Sequence, residues 1–208
     1  MIPCPPGVVE VLSQVVGFRV SRETVQALEE YFLYLESESA KYNLIGPQEI
    51  SRFWERHVLD SAQLCPFVFS SGSFVDIGSG AGFPGVVLSI LGCTGGVLVE
   101  SSEKKCSFLV GVSRETGASF EVLNLRAESV RGKRFERVVS RAAAPLDRLL
   151  LWSSPLLSPA GRCVFLKGER YEEEVSRART LFHFDLALFP SVTHQNARIL
   201  EISHIKPK

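Results

Sequence analysis

This chain of 208 residues lacks an excess of charge of either sign: 23 Lys and Arg balance 23 Asp and Glu. That balance excludes attachment to nucleic acid through overall charge, and leaves room for a local basic patch. Histidine is scarce, with 4 residues, and the five cysteines (Cys4, Cys65, Cys93, Cys106 and Cys163) are far apart with no Cys-x-x-Cys. Neither a metal-ligand spacing nor a disulfide framework results, so no metal is expected and the thiols read as buried and reduced, as in a cytoplasmic protein. No basic segment precedes an apolar run in MIPCPPGVVEVL, which is therefore not read as a signal peptide. A membrane span is missing too. The one long uncharged run, Ile77 to Val99, is broken by Gly78, Gly80, Gly82, Pro84, Gly85, Gly92, Gly95 and Gly96. What remains is a globular composition, 45% hydrophobic and 22% charged, in a chain long enough to bury its own core.

Neutrality dissolves when the chain is divided. Residues 1–70 carry 5 basic against 9 acidic residues, and the remainder carries 18 against 14. Texture divides it as well. Ser21 has the character of a helix N-cap, and Val25, Leu28, Phe32 and Leu35 follow at helical spacing. Pro47 suits a first helical turn, and Ile50, Phe53, Trp54, Val58 and Leu64 extend a second stripe. Residues 1–66 thus read as an N-terminal helical segment packed on a core domain of residues 67–208. In that domain short apolar runs at 73–77, 96–100, 119–123, 135–140 and 161–166 alternate with helix-like stretches at 84–92, 103–116, 145–157 and 169–182. Alternation of this kind implies βαβ crossovers and a parallel sheet with helices on both faces. Two last apolar runs, joined only by Pro190 to Asn196, permit an antiparallel pair.

The stretch richest in chemistry is Phe74-Val75-Asp76-Ile77-Gly78-Ser79-Gly80-Ala81-Gly82-Phe83-Pro84-Gly85. A buried strand ends at Asp76, glycines let the backbone turn and approach a ligand, and a helix begins near Pro84. Glu100 ends the next strand where a ribose diol needs an acceptor. Two cofactor classes compete for such a cradle. Gly80-x-Gly82-x-x-Gly85 satisfies the dinucleotide pattern of a nicotinamide enzyme. Asp76-x-Gly78-x-Gly80-x-Gly82 satisfies the nucleotide loop of methyltransferases that use S-adenosylmethionine (SAM), and the antiparallel end and preceding helical segment favour this second pattern.

The chain also resembles the RsmG (glucose-inhibited division protein B) family of bacterial 16S rRNA guanine-N7 methyltransferases. The likeness runs through Tyr42-Asn43-Leu44, Arg56-His57-Val58-Leu59-Asp60-Ser61, the glycine loop, Val99-Glu100-Ser101, Arg126-Ala127-Glu128, Ser140-Arg141-Ala142 and Leu166-Lys167-Gly168. It departs from the family pattern at Ile45, where threonine is common. The resemblance implies a class I SAM-dependent methyltransferase fold, Rossmann-like, its mostly parallel sheet closed by an antiparallel C-terminal strand. It implies methyl transfer from SAM to N7 of one guanine in 16S rRNA of the small ribosomal subunit. It carries cofactor contacts onto Gly78, Phe83, Ala127, Glu128 and Arg141, beside Asp76 and Gly80 from the loop and Glu100 from the next strand.

Guanine N7 has a free lone pair and no proton, so its attack on a sulfonium methyl needs no general base, and no catalytic dyad is expected. Arg141, next to the transferred methyl, is the one catalytic candidate. N7 lies on the Hoogsteen edge, reachable without breaking a Watson–Crick pair, so base flipping is not demanded. Residues 126–148 hold seven basic side chains against three acidic ones. From this run and the strand ends, Lys104, Lys105, Lys167, Arg126 and Arg134 are the expected RNA contacts. His57 and Asp60 read as packing of the helical segment on the sheet, near the guanine pocket.

Overall fold

A computed structural model describes residues 4–141 and 143–208. Residues 1–3, Ala142 of the Ser140-Arg141-Ala142 stretch and the side chain of Pro47 lie outside the described residues. The chain begins with α1 (Val8–Val16), α2 (Arg22–Tyr42) and the single turn α3 (Pro47–Ile50). Ser21 caps α2 as its residue type predicts, its Oγ accepting the Thr24 N–H at 3.2 Å. The second stripe forms no regular α-helix. Phe53–Leu59 is a π-helical turn that passes directly into α4 (Asp60–Ala62), followed by α5 (Cys65–Val68). The wider turn takes Phe53, Trp54, His57, Val58 and Leu59 inward together. No residue pattern announces a π turn, and such turns are frequent at functional sites.

Seven strands form one sheet in the order β3-β2-β1-β4-β5-β7-β6. They are β1 (Phe74–Ile77), β2 (Gly96–Glu100), β3 (Phe120–Asn124), β4 (Phe135–Arg141), β5 (Leu157–Lys167), β6 (Phe182–Pro190) and β7 (Arg198–Pro207). The first five pair in parallel, while β7 runs antiparallel to both β5 and β6. The crossovers are α6 (Gly85–Ile90), α7 (Glu103–Thr116), a 3₁₀ turn at Ala127–Ser129, α8 (Leu146–Ser153) and α9 (Tyr171–Leu181). The helix expected over 145–157 stops at Ser153. Pro155 lacks an N–H and sits in a 3₁₀ turn, and β5 then starts at Leu157, ahead of the expected 161.

Both faces of the sheet are covered, and alternation along each strand serves them in turn. On one face Phe74 and Leu98 join Phe32, Trp54, Val86 and Leu109, so the N-terminal helices, α6 and α7 share a core with the sheet. On the other face Val75, Ile77, Val97 and Val99 join Leu149, Phe165 and Ala178 under α8 and α9. Each fully buried Phe or Leu contributes roughly 1.5–3 kcal/mol. Among the described residues no helix is long and apolar enough to cross a membrane. Strand order reverses at β1, whose neighbours are β2 and β4. The loops leaving the carboxyl ends of β1 and β4 therefore diverge, and a crevice opens between them.

Candidate functional site

The glycine loop leaves β1 and is tied back to β2 at once. The N–H groups of Gly78 and Ser79 both donate to the Val99 carbonyl, at 2.9 and 3.1 Å. Gly78 has φ 73°, and a Cβ there would lie 2.7 Å from the Ala143 Cβ. Gly82 has φ 104°, and a Cβ would press on Val86 and on the Tyr31 hydroxyl. No side chain suits either place. Tyr31 reaches from α2 to donate to the Ala81 carbonyl at 2.5 Å, its phenol raised well above the usual range by burial.

Two carboxylates at strand ends hold the loop from below. Asp76 is fully buried, and its Oδ2 accepts the Gly85 N–H at 3.0 Å. Burial pushes its carboxyl up to about 7 against the lowering effect of that bond, and its Oδ1 has no partner among the described residues. Glu100 accepts the Gly80 N–H at 3.0 Å through Oε2 and the Ser102 N–H at 2.8 Å through Oε1. A carboxylate has about four lone-pair sites, so Glu100 retains capacity for a hydroxyl donor.

Two cavities meet at Gly78. The smaller, about 150 Å³, lies between Gly78, Glu100, Arg126, Ala127, Glu128 and Trp152. In it the first N–H groups of the 3₁₀ turn at Ala127 and Glu128 are left without intrahelical acceptors. The larger, about 560 Å³, lies on the opposite side of the loop, walled by Phe83, His57, Asp60, Arg141 and the ends of β5 and β7.

Arg141, the last residue of β4, organises the larger cavity. Its Nη1 donates to the Arg56 carbonyl at 2.8 Å, and its Nη2 meets His57 Nδ1 at 2.8 Å. Asp60 Oδ2 lies 3.7 Å from Nη1. The guanidinium covers the Phe83 ring at 4.9 Å, and the His57 ring stacks on Phe83 with centroids 4.5 Å apart. A guanidinium only donates, so His57 Nδ1 is an acceptor and the imidazole is neutral with its proton on Nε2. Burial first, then the charges of Arg141 and Arg56, hold His57 down at about 3. Asp60 is fixed in turn by the β6–β7 connection, where the Thr193 hydroxyl donates to its Oδ1. Gln63 ties the same segment down, accepting the Val192 N–H at 3.0 Å.

Most of the residues singled out by sequence thus come together; Lys167 lines the larger cavity with them but has its ammonium engaged, and Arg134 lies apart. Lys167 was expected to offer its ammonium to RNA, but it is 4% exposed and donates to the Ala144 carbonyl at 2.7 Å and to Glu174 at 2.8 Å. Its charge is neutralised inside the protein. Arg134 precedes β4 and donates to the Leu157 carbonyl, whereas Arg141 ends that strand. Seven strand residues at roughly 3.3 Å each put Arg134 about 20 Å from the crevice, at the opposite end of the strand. The basic run is therefore split, with Arg131, Lys133 and Arg134 ahead of β4, at its far end. Lys105 lines the larger cavity, Lys104 is exposed beside it on α7, and Arg126 lines the smaller one. Sequence reasoning missed Tyr31, Glu49, Gln63 and Thr193, whose neighbours lie up to 133 residues away.

Comparison with known proteins fits this geometry. The family model for GidB, described as rRNA small subunit methyltransferase G, matches residues 24–202. The chain is 41% identical to the Ribosomal RNA small subunit methyltransferase G of Paramagnetospirillum magneticum, over 89% of this chain and 91% of that one. It is 37% identical to the protein of the same name from Gluconobacter oxydans, over 90% and 97%. Among solved structures it is similar to a TehB-like SAM-dependent methyltransferase from Corynebacterium glutamicum, with TM-score 0.55 at 14% identity, covering 81% of this chain and 98% of that one. The last likeness shows the fold alone, that of class I SAM-dependent methyltransferases. The nicotinamide reading of the glycine loop is set aside by the family match, and the chain belongs to the GidB family, the rRNA small subunit methyltransferases G.

Proposed function

We propose that this protein methylates N7 of a guanine in 16S rRNA of the small ribosomal subunit, with SAM as the methyl donor, in the bacterial cytoplasm where that subunit is found. Family membership supports the reaction. The observation that carries its placement is the meeting of two cavities at Gly78, one beside Glu100 and Ala127-Glu128, the other beside Arg141.

The residues present fit the cofactor. A loop that a Cβ at Gly78 would obstruct suits close approach of a ligand to backbone. The unpartnered Asp76 Oδ1 beneath it suits a zwitterion with an ammonium group. In this reading Glu100 accepts the ribose diol, the Ala127 and Glu128 N–H groups meet the adenine edge, and Gly78, Gly80, Phe83 and Arg141 border the methionine end. When bound, SAM supplies an electrophilic methyl on sulfur. The chain's own task is to bring N7 in line with that methyl and to tolerate positive charge on the guanine ring. No side chain needs to take a proton. His57, neutral and with Nδ1 engaged by Arg141, is a holder of Arg141 and not a base. Lys104, Lys105 and Arg126 remain as candidate phosphate contacts.

The test is transfer of labelled methyl from SAM to 16S rRNA or small subunits from cells lacking this protein, followed by nucleoside analysis. Label in 7-methylguanosine, lost on Gly78→Ala, is the expected result. Binding of SAM with no label on RNA, or label in another nucleoside, would overturn the assignment.

A further inference from the structure

The larger cavity holds a donor and an acceptor that the contacts around Arg141 leave unused. His57 is 4% exposed and its tautomer is set by Arg141, so Nε2 carries a proton. That atom is buried, and the acceptors nearest it, the Glu49 backbone carbonyl and carboxylate, stand outside good hydrogen-bond geometry. A buried donor without a partner is uncommon and calls for a ligand or a function. Beside it stands the Glu49 carboxylate, whose Oε2 lies 3.4 Å from Nε2 and 3.8 Å from Arg56 Nε. The Glu49 side chain is 41% exposed and lines the cavity. Asp60, by contrast, is engaged by Thr193, Gln63 and Arg141.

We infer that His57 and Glu49 read the Watson–Crick edge of the target guanine, His57 Nε2–H donating to O6 and the Glu49 carboxylate accepting N1–H and the 2-amino group. This rests on the guanine assignment above and deepens it. One N–H donor adjacent to a two-oxygen acceptor is the complement of that edge, which presents an acceptor followed by two donors. Adenine presents a donor where guanine has O6 and an acceptor at N1, so the same pair rejects it. Reading this edge requires that the base be unpaired when bound, which access to N7 alone does not require. The carboxylate has a second effect. Methylation leaves the guanine ring cationic in a cavity lined by Arg56, Lys105, Arg141 and Lys167 as well as Asp60 and Glu169, and Glu49 adds negative charge where the positive charge develops.

The test uses reconstituted small subunits in which the methylated guanine is replaced by inosine, which keeps O6 and N1–H but lacks the 2-amino group. Wild-type enzyme is expected to transfer methyl to the inosine subunit about 10-fold less efficiently, and Glu49→Ala to treat the two alike after an overall loss of roughly 10- to 100-fold in kcat/KM, the scale of hydrogen bonds to a charged acceptor. SAM affinity of Glu49→Ala, measured by calorimetry, stays at the wild-type value. An unchanged inosine penalty in Glu49→Ala, no penalty in wild type, or SAM affinity lost with activity would each overturn the inference. Absence of 7-methylguanosine from wild-type reactions would instead overturn the guanine assignment beneath it.

Discussion

The two sides of the crevice are held by different means. On the glycine-loop side most contacts are local: Asp76 reaches nine residues to Gly85, and Glu100 reaches 20 to Gly80 and two to Ser102, with Tyr31 alone among the contacts described reaching 50, to Ala81. On the arginine side they are remote. Arg141 reaches 84 residues to His57, Thr193 reaches 133 to Asp60, and Val192 reaches 129 to Gln63. The carboxylate ties of the first side need only β1, α6 and β2, with Tyr31 of α2 and the Ala127–Ser129 turn added from outside that unit. The second exists only when the helical segment, β4 and the β6–β7 connection have docked together. A cofactor shared by many acceptors can be held by a local backbone device, while the groups that face one acceptor are assembled from the whole chain.

The comparison is broken most severely at its meeting point. Gly78→Ala puts a methyl against Ala143 at a left-handed backbone position, and is expected to lower SAM affinity roughly 100-fold or more, measured by calorimetry. Arg141→Lys keeps the charge but loses the fork shared by Arg56, His57 and Asp60. It should lower kcat/KM roughly 10- to 100-fold and SAM affinity by less.

The two sides also respond oppositely to acid. Folding holds His57 at about 3 against 6.5 unfolded, so the unfolded chain binds the extra proton in this window and stability rises with pH between about 3 and 6.5. Asp76 is raised to about 7 from 3.8, so the folded chain binds the extra proton and stability falls with pH between about 4 and 7. The contributions oppose each other between pH 4 and 6.5. His57→Gln should leave stability falling with pH over that range and Asp76→Asn should leave it rising, each with a slope of up to about 1.4 kcal/mol per pH unit in denaturant melts. Equal slopes in the two variants would contradict the assignment of these groups.

The smallest effect concerns RNA. Lys105→Ala, at the cavity, should reduce the dependence of log kcat/KM on log salt by about one, and Arg134→Ala, at the far end of β4, should leave it unchanged.

How much of this was legible follows from the same contrast. Short apolar runs mark four of the first five strands closely, and the loop can be read because glycine spacing, Asp76 and Glu100 act within one βαβ unit. Helix 145–157 was overextended because Leu156 and Leu157 continue an apolar pattern that Pro155 interrupts. The π turn over Phe53–Leu59 has no residue signature, although the Arg-His-Val-Leu-Asp-Ser stretch flagged two of the residues it positions. Lys167 was misjudged because nothing near it in sequence says that Glu174, one helix turn into α9, neutralises it. Arg134 lies away from the crevice, a placement missed by charge counting because it ignores which end of a strand a residue occupies. Thr193 and Glu49 carry no local signal, and their roles arise from docking.

The most direct measurement pairs SAM binding with methyl transfer in the same preparations of wild type, Gly78→Ala and Asp60→Asn. The account predicts that Gly78→Ala loses both, and that Asp60→Asn keeps SAM affinity close to the wild-type value while losing most 7-methylguanosine formation. If Asp60→Asn loses SAM affinity in step with methyl transfer, the two sides of the crevice are one device, and the division of labour described above is wrong.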